Sequence, residues 1–181
     1  TEADLDQVFA PELEGLDRGQ IRAWYNGYNW LGEAVYNPFD LLLLFRERQF
    51  RPWWFETGTP TFLVDVLTQQ GFFTPLLAHL RADEALLSAF DVDRLAPEAL
   101  LWQTGYLTFT RSRQIGARWE YSLGYPNLEV SAALNDSLAK AFIGEPGRAS
   151  ELASRLYDIL VAADFEALRQ HVASLFAAIP H

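Results

Sequence analysis

The chain has 181 residues, enough for one sizeable core or two small ones. Half of the residues are hydrophobic, 14% are aromatic, and the formal charge is −10, with Arg supplying 13 of the 14 basic residues. This composition excludes a disordered chain, and an acidic surface repels phosphate backbones, so the chain as a whole is a poor nucleic-acid binder. The lack of cysteine removes disulfides and thiolate metal sites from consideration. Apolar runs such as 41–45 are far too short to span a bilayer, and no signal peptide is visible, so no membrane is expected. A start at Thr1 without any methionine reads as a piece of a longer, cytoplasmic protein.

Residues 1–23 predict two short helices. Thr1 with Asp4 forms a capping-box pattern, and Leu5, Val8 and Phe9 have helical spacing. Asp17 caps a second run with Ile21, Trp24 and Tyr25 on one face, which Gly27 is expected to end in the left-handed conformation. A turn-rich stretch over 26–32 leads to Asn37 and Pro38, a cap followed by a first helical residue. Leu41, Leu42, Leu44 and Phe45 are the apolar side of that helix. Residues 49–54 read as extended, and Thr57-Gly58-Thr59-Pro60 as a turn into a helix with Phe62, Leu63, Val66 and Leu67.

Residues 72–81 are expected to be helical, followed by a looser segment to 95. Pro97 opens a helix carrying Leu100, Leu101 and Trp102 that ends at Gly105. The period then changes. Residues 106–110 and 119–123 are rich in aromatics and Thr around a polar, Gly-containing tip, which predicts a β-hairpin. Pro126-Asn127 starts a helix with Leu134, Leu138 and Phe142, and 144–147 reads as a boundary. Two amphipathic helices follow, one with Leu152, Leu156 and Leu160, the other with Phe165, Leu168, Val172 and Leu175; Ser150 and Asp164 are their expected caps. The fold class is mainly α: a helical, bundle-like region over 1–96, a winged-helix-like unit with one small β-hairpin over 97–145, and a helical connector over 146–181.

Catalytic signatures are absent from the sequence. There is no phosphate-cradling loop, and the single lysine, Lys140, follows no glycine-rich turn. His79, His171 and His181 lack metal-ligand spacing, no nucleophile elbow occurs, and Asp91-Val-Asp93 reads as a solvated loop. By itself the chain has no visible catalyst.

Five stretches in this order nevertheless carry a resemblance: "WYNGYNW", "VYNPFDLL", "WWFETGTPTFL", "WQTGYLTF" and "YSLGYPNLEV". They resemble the middle of bacterial AAA-ATPase-like proteins with a C-terminal PD-(D/E)xK nuclease-like domain. The matching positions are 24–28, 36–40, 54–58, 104–108 and 125–130, and the closing "DFEALRQHVASLFAAIPH" resembles the helix before the nuclease-like domain. Asp40 departs from the usual Ser, although both favour a first helical turn. The resemblance implies that 1–96 is a helical lid, with an ATPase core upstream and the nuclease-like domain downstream of the same chain. The resemblance further implies that the full-length protein is an ATPase to which ATP and Mg²⁺ belong, and that this fragment, with no cofactor of its own, is a non-catalytic coupler of nucleotide state.

Two site readings follow. Tyr36, Asn37 and Pro38 either turn a corner between helices or present the helix start to the adenine side of a nucleotide, as lids of related ATPases do. Arg111, Arg113 and Arg118 form the one local basic patch, suited to phosphates or a protein partner. The helix after the hairpin offers only Lys140 against Glu129 and Asp136, which argues against DNA. The alternative function is a stand-alone winged-helix module binding DNA or a protein.

Overall fold

The computed structural model describes residues 1–56, 60–87 and 96–177. The expected turn at 57–59, the loop at 91–93 and His181 lie outside the described residues, as does most of the looser segment before 95. Two units are present, Thr1–Ser137 and Leu138–His181. The chain is mainly α, with ten α-helices and two small antiparallel sheets among the described residues.

In the first unit, helix α1 (Glu2–Val8) starts at a capping box in which the Thr1 hydroxyl accepts from the Asp4 N–H. Helix α2 (Arg18–Tyr25) starts where the Asp17 carboxylate accepts from the Gln20 N–H at 2.8 Å. Strand β1 (Asn26–Tyr28) then pairs antiparallel with β2 (Val35–Tyr36), and α3 (Pro38–Glu47) begins immediately. Ile21 and Tyr25 of α2 pack with Leu5, Leu41, Leu44 and Trp53 into one core, flanked by Phe9, Phe45 and Phe50. Tyr25 stacks on Phe50 with ring centroids 6.2 Å apart, and its hydroxyl donates to the Arg51 carbonyl at 3.0 Å. The polar tip of this ring is thereby satisfied inside the core.

The chain continues through α4 (Trp53–Glu56), α5 (Thr61–Gln69), a 3₁₀ turn (Thr74–His79), β3 (Leu80–Asp83), α6 (Glu84–Leu87) and α7 (Pro97–Gln103). Strands β4 (Thr108–Ile115) and β5 (Arg118–Gly124) form the expected hairpin, and α8 (Leu128–Ile143) follows. The hairpin is not alone. Strand β3 pairs antiparallel with β5, giving the order β3-β5-β4, with Leu80 opposite Leu123 and Asp83 opposite Glu120.

Several local expectations are corrected. Residues 72–81 are a 3₁₀ turn and a strand rather than a helix, because Leu80 and Ala82 bury one face of β3 by alternation. The 26–32 stretch opens with a strand, and 53–54 belong to a short helix. Helix α2 ends at Tyr25 with an extended cap at Asn26, so Gly27 does not close it.

In the second unit, α9 (Pro146–Val161) and α10 (Phe165–Ala177) form a helical hairpin. Asp164 caps α10 by accepting from the Ala167 N–H at 2.9 Å. Ser150 lies inside α9, whose cap position is Glu145. Ala149, Ile159 and His171 are the buried residues of the hairpin, whereas Leu160 and Phe165, expected on apolar faces, are exposed.

Candidate functional site

All five stretches meet in the first unit, the VYNPFDLL stretch through the pairing of β2 with β1. Gly27 sits at φ +124°, and a Cβ built on it would lie 1.8 Å from the Pro126 carbonyl oxygen. Only glycine lets the two backbones approach this closely. Two residues further, the Asn29 N–H donates to the Thr108 hydroxyl at 2.8 Å, and that hydroxyl donates to the Asn29 carbonyl at 2.9 Å. Thr108 is buried, so one side chain satisfies both backbone groups of a turn that lacks a strand partner there. The Trp54 N–H donates to Glu129 Oε1 at 2.7 Å, and the Trp54 ring lies 5.4 Å from that of Tyr106.

Asp40, in the first turn of α3, completes the junction. Asp40 and Glu129 are both fully buried, and they lie close enough for each to shift the other's protonation. Burial first, and then Asp40, pushes Glu129 up to about 9. Burial likewise raises Asp40, against the lowering effect of Glu129. The Tyr28 phenol is raised by burial and by the proximity of both acids. The sequence pattern gave Asp40 a helix-start role only; its partner is supplied by the tertiary fold.

Around this junction opens a cleft of about 370 Å³. Its lining comes in part from Tyr28, Trp30, Val35 and the helix start Tyr36-Asn37-Pro38, and in part from Trp54, Thr104 and Gly105. None of these residues carries a charge at neutral pH. Tyr36 is buried, and its hydroxyl donates to Glu2 Oε1 at 2.6 Å. Burial pushes its phenol up to about 12. The Arg22 guanidinium, bonded to the same Glu2 carboxylate at 2.7 Å, holds that carboxyl below its usual range. Asn37 Oδ1 accepts from the Phe39 N–H at 3.1 Å, as a helix cap does. The polar atoms of Tyr36 and Asn37 are thus committed to holding the corner, while Pro38 and Trp30 stand open, Trp30 with 67% of its surface exposed. Trp30 and Trp54 stand in separate sequence motifs, and no local pattern marks them as lining one cleft.

The structure also brings Arg111, Arg113 and Arg118 together. Arg111 is opposite Ser122, Arg113 opposite Glu120, and Ile115 opposite Arg118, so all lie on one sheet face. Arg81 of β3, opposite Ser122, joins that face. Glu120 accepts from Arg113 at 2.6 Å and lies 3.8 Å from Arg81, partly neutralising the patch. A groove of about 660 Å³ beside it is lined by Arg81, Asp83, Ile115, Arg118, Trp119 and Glu120.

A protein of Azotobacter chroococcum mcd 1, described as an uncharacterized protein in the vnfD 5' region, is 59% identical over 181 residues, all of this chain. The chain spans 35% of that relative's length. No family model and no solved structure matches. Among the described residues, no group of three or more His, Cys, Asp or Glu could hold a metal ion. No described helix is long and apolar enough to cross a membrane.

Proposed function

We propose that this chain is the non-catalytic lid and connector of a cytoplasmic AAA-ATPase-like protein, coupling nucleotide state to a nuclease-like domain. The observation that carries the reading is an aromatic cleft whose described lining is uncharged and joins Tyr28, Tyr36-Asn37-Pro38, Trp54 and Thr104-Gly105 from four of the motifs. A cleft with no cation among its described lining residues suits the flat, uncharged base of a nucleotide better than its triphosphate. The phosphates and Mg²⁺ would then rest on the upstream core, and this chain would close over the adenine with Trp30 and Trp54 as flanking rings and Pro38 at the rim. A relative nearly three times as long supports the view that the chain works with neighbouring domains. The test is calorimetric titration of a non-hydrolysable ATP analogue into the chain joined to the proposed upstream core. Trp30→Ala should weaken binding about tenfold, in line with the loss of one aromatic contact. Wild-type affinity in the variant would overturn the reading.

A second reading has its own support. The order helix α5, strand β3, helices α6 and α7, strands β4 and β5, with β5 central, fits a winged-helix unit that begins near α5. In that topology α7, directly before the hairpin, takes the recognition position, and its sequence PEALLWQ contains no cation. The hairpin face with Arg81, Arg111, Arg113 and Arg118 remains as the phosphate-contacting surface of this alternative. Duplex DNA binding that weakens steeply with salt and is lost in Arg111→Ala with Arg118→Ala would favour it.

A further inference from the structure

Asp40 stands in the first turn of α3, directly after Asn37 and Pro38, which line the cleft. Glu129 stands in the first turn of α8 and holds the N–H of Trp54, another lining residue of the cleft, at 2.7 Å. Both side chains are completely buried, and Asp40 Oδ1, Asp40 Oδ2 and Glu129 Oε2 find no hydrogen-bond donor in the protein. The titratable groups facing them are the phenols of Tyr25 on α2 and Tyr28 on β1, both neutral hydroxyls at physiological pH. Arg51 lies with its guanidinium over the Trp53 ring, 5.1 Å from the centroid. Neither carboxyl forms an ion pair with a described cation. Two ionised carboxylates touching in a dry interior repel each other strongly, whereas one proton between them makes a charge-assisted hydrogen bond.

We infer that Asp40 and Glu129 hold a single proton between them, and that this proton latches these two parts of the cleft lining together. The proton sits on Glu129 Oε2 and is donated to the Asp40 carboxylate, which leaves Glu129 Oε1 free to accept from Trp54. Loss of the proton places two negative charges in contact, and the cheapest relief is separation of the α3 start from the α8 start. Trp54 then parts from Asn37 and Pro38. The latch is independent of what fills the cleft, so its failure would leave the nucleotide reading untouched.

The test counts protons. Unfolding the chain at pH 7, by calorimetry in buffers of different ionisation enthalpy, should release about one proton more from the wild type than from Asp40→Asn or Glu129→Gln. Each variant replaces the shared proton by an amide N–H. Equal counts in all three would overturn the inference. The wild type should also change its tryptophan fluorescence with a midpoint on the alkaline side of neutrality, and this change should be absent in the variants. Should neither variant fold, the infrared C=O band of a protonated carboxylic acid in the wild type decides. Its presence at pH 7 and disappearance in alkali support the latch, and its absence at pH 7 refutes it.

Discussion

Gly27 and Pro126 meet backbone to backbone: a Cβ at Gly27 would fall 1.8 Å from the Pro126 carbonyl oxygen. Nothing flexible lies in the way, so the contact can be relieved only by moving one of two main chains. Gly27→Ala should therefore destabilise the chain by about 3 kcal/mol or more, combining the clash with an unfavourable φ. Urea unfolding measures it; a loss under about 1 kcal/mol would mean that the two turns do not abut.

Thr108→Val is nearly isosteric and removes one hydroxyl. That hydroxyl serves both the N–H and the carbonyl of Asn29, so the variant should lose about 1–2 kcal/mol, the cost of leaving partly buried backbone groups unpaired. Thr108→Ser should recover most of the loss. Equal stability of Thr108→Val and wild type in urea would show that the turn at Asn29 is solvated.

Stability should fall as pH rises through neutrality. Glu129 is raised from its ordinary value of 4.5 to about 9, so between these values the folded state keeps a proton that the unfolded state has lost. The slope is at most about 1.4 kcal/mol per pH unit over that window, levelling above pH 9. Burial raises Tyr25, Tyr36 and Tyr125 from 10.0 to about 12, which adds a second fall across that alkaline interval. Glu2, Asp4 and Glu166 are lowered by their hydrogen-bonding partners, so their contributions are complete once pH exceeds about 4.5 and do not offset the decline. Urea midpoints between pH 7 and 9 check the sign; a rising midpoint would contradict it.

The cleft residues should separate by what they do for the fold. Trp30→Ala, at an exposed site, should change stability by no more than about 0.5 kcal/mol. Asn37→Ala should cost about 1 kcal/mol through the lost cap, and Tyr106→Ala about 2–4 kcal/mol because its ring packs on Trp54 and Phe55. Thermal unfolding of the three variants gives the ranking, and a large loss in Trp30→Ala would mark it as structural.

The helices were legible where their signals are local. Thr1 with Asp4, Asp17, Asn37 and Asp164 all cap as their neighbours in sequence suggest. Strand β3 was not legible, because LRAD is too short to show a period and becomes a strand only by pairing with β5. Arg81 escaped the basic patch for the same reason. Gly27 carries the residue type of a helix stop, yet its backbone freedom serves a close approach to Pro126 that no local pattern encodes. Asp40 looks like any acid in a first helical turn, and only folding brings Glu129 against it.

The proposed lid role turns on a nucleotide base entering the cleft. Photolabelling with 8-azido-ATP, applied to the chain joined to the proposed upstream core and followed by peptide mapping, tests this directly. Label is predicted on the peptides containing Trp30 or Trp54, competed by ATP and reduced in Trp30→Ala. Label confined to residues upstream of Thr1, or label here that ATP does not compete, would contradict it.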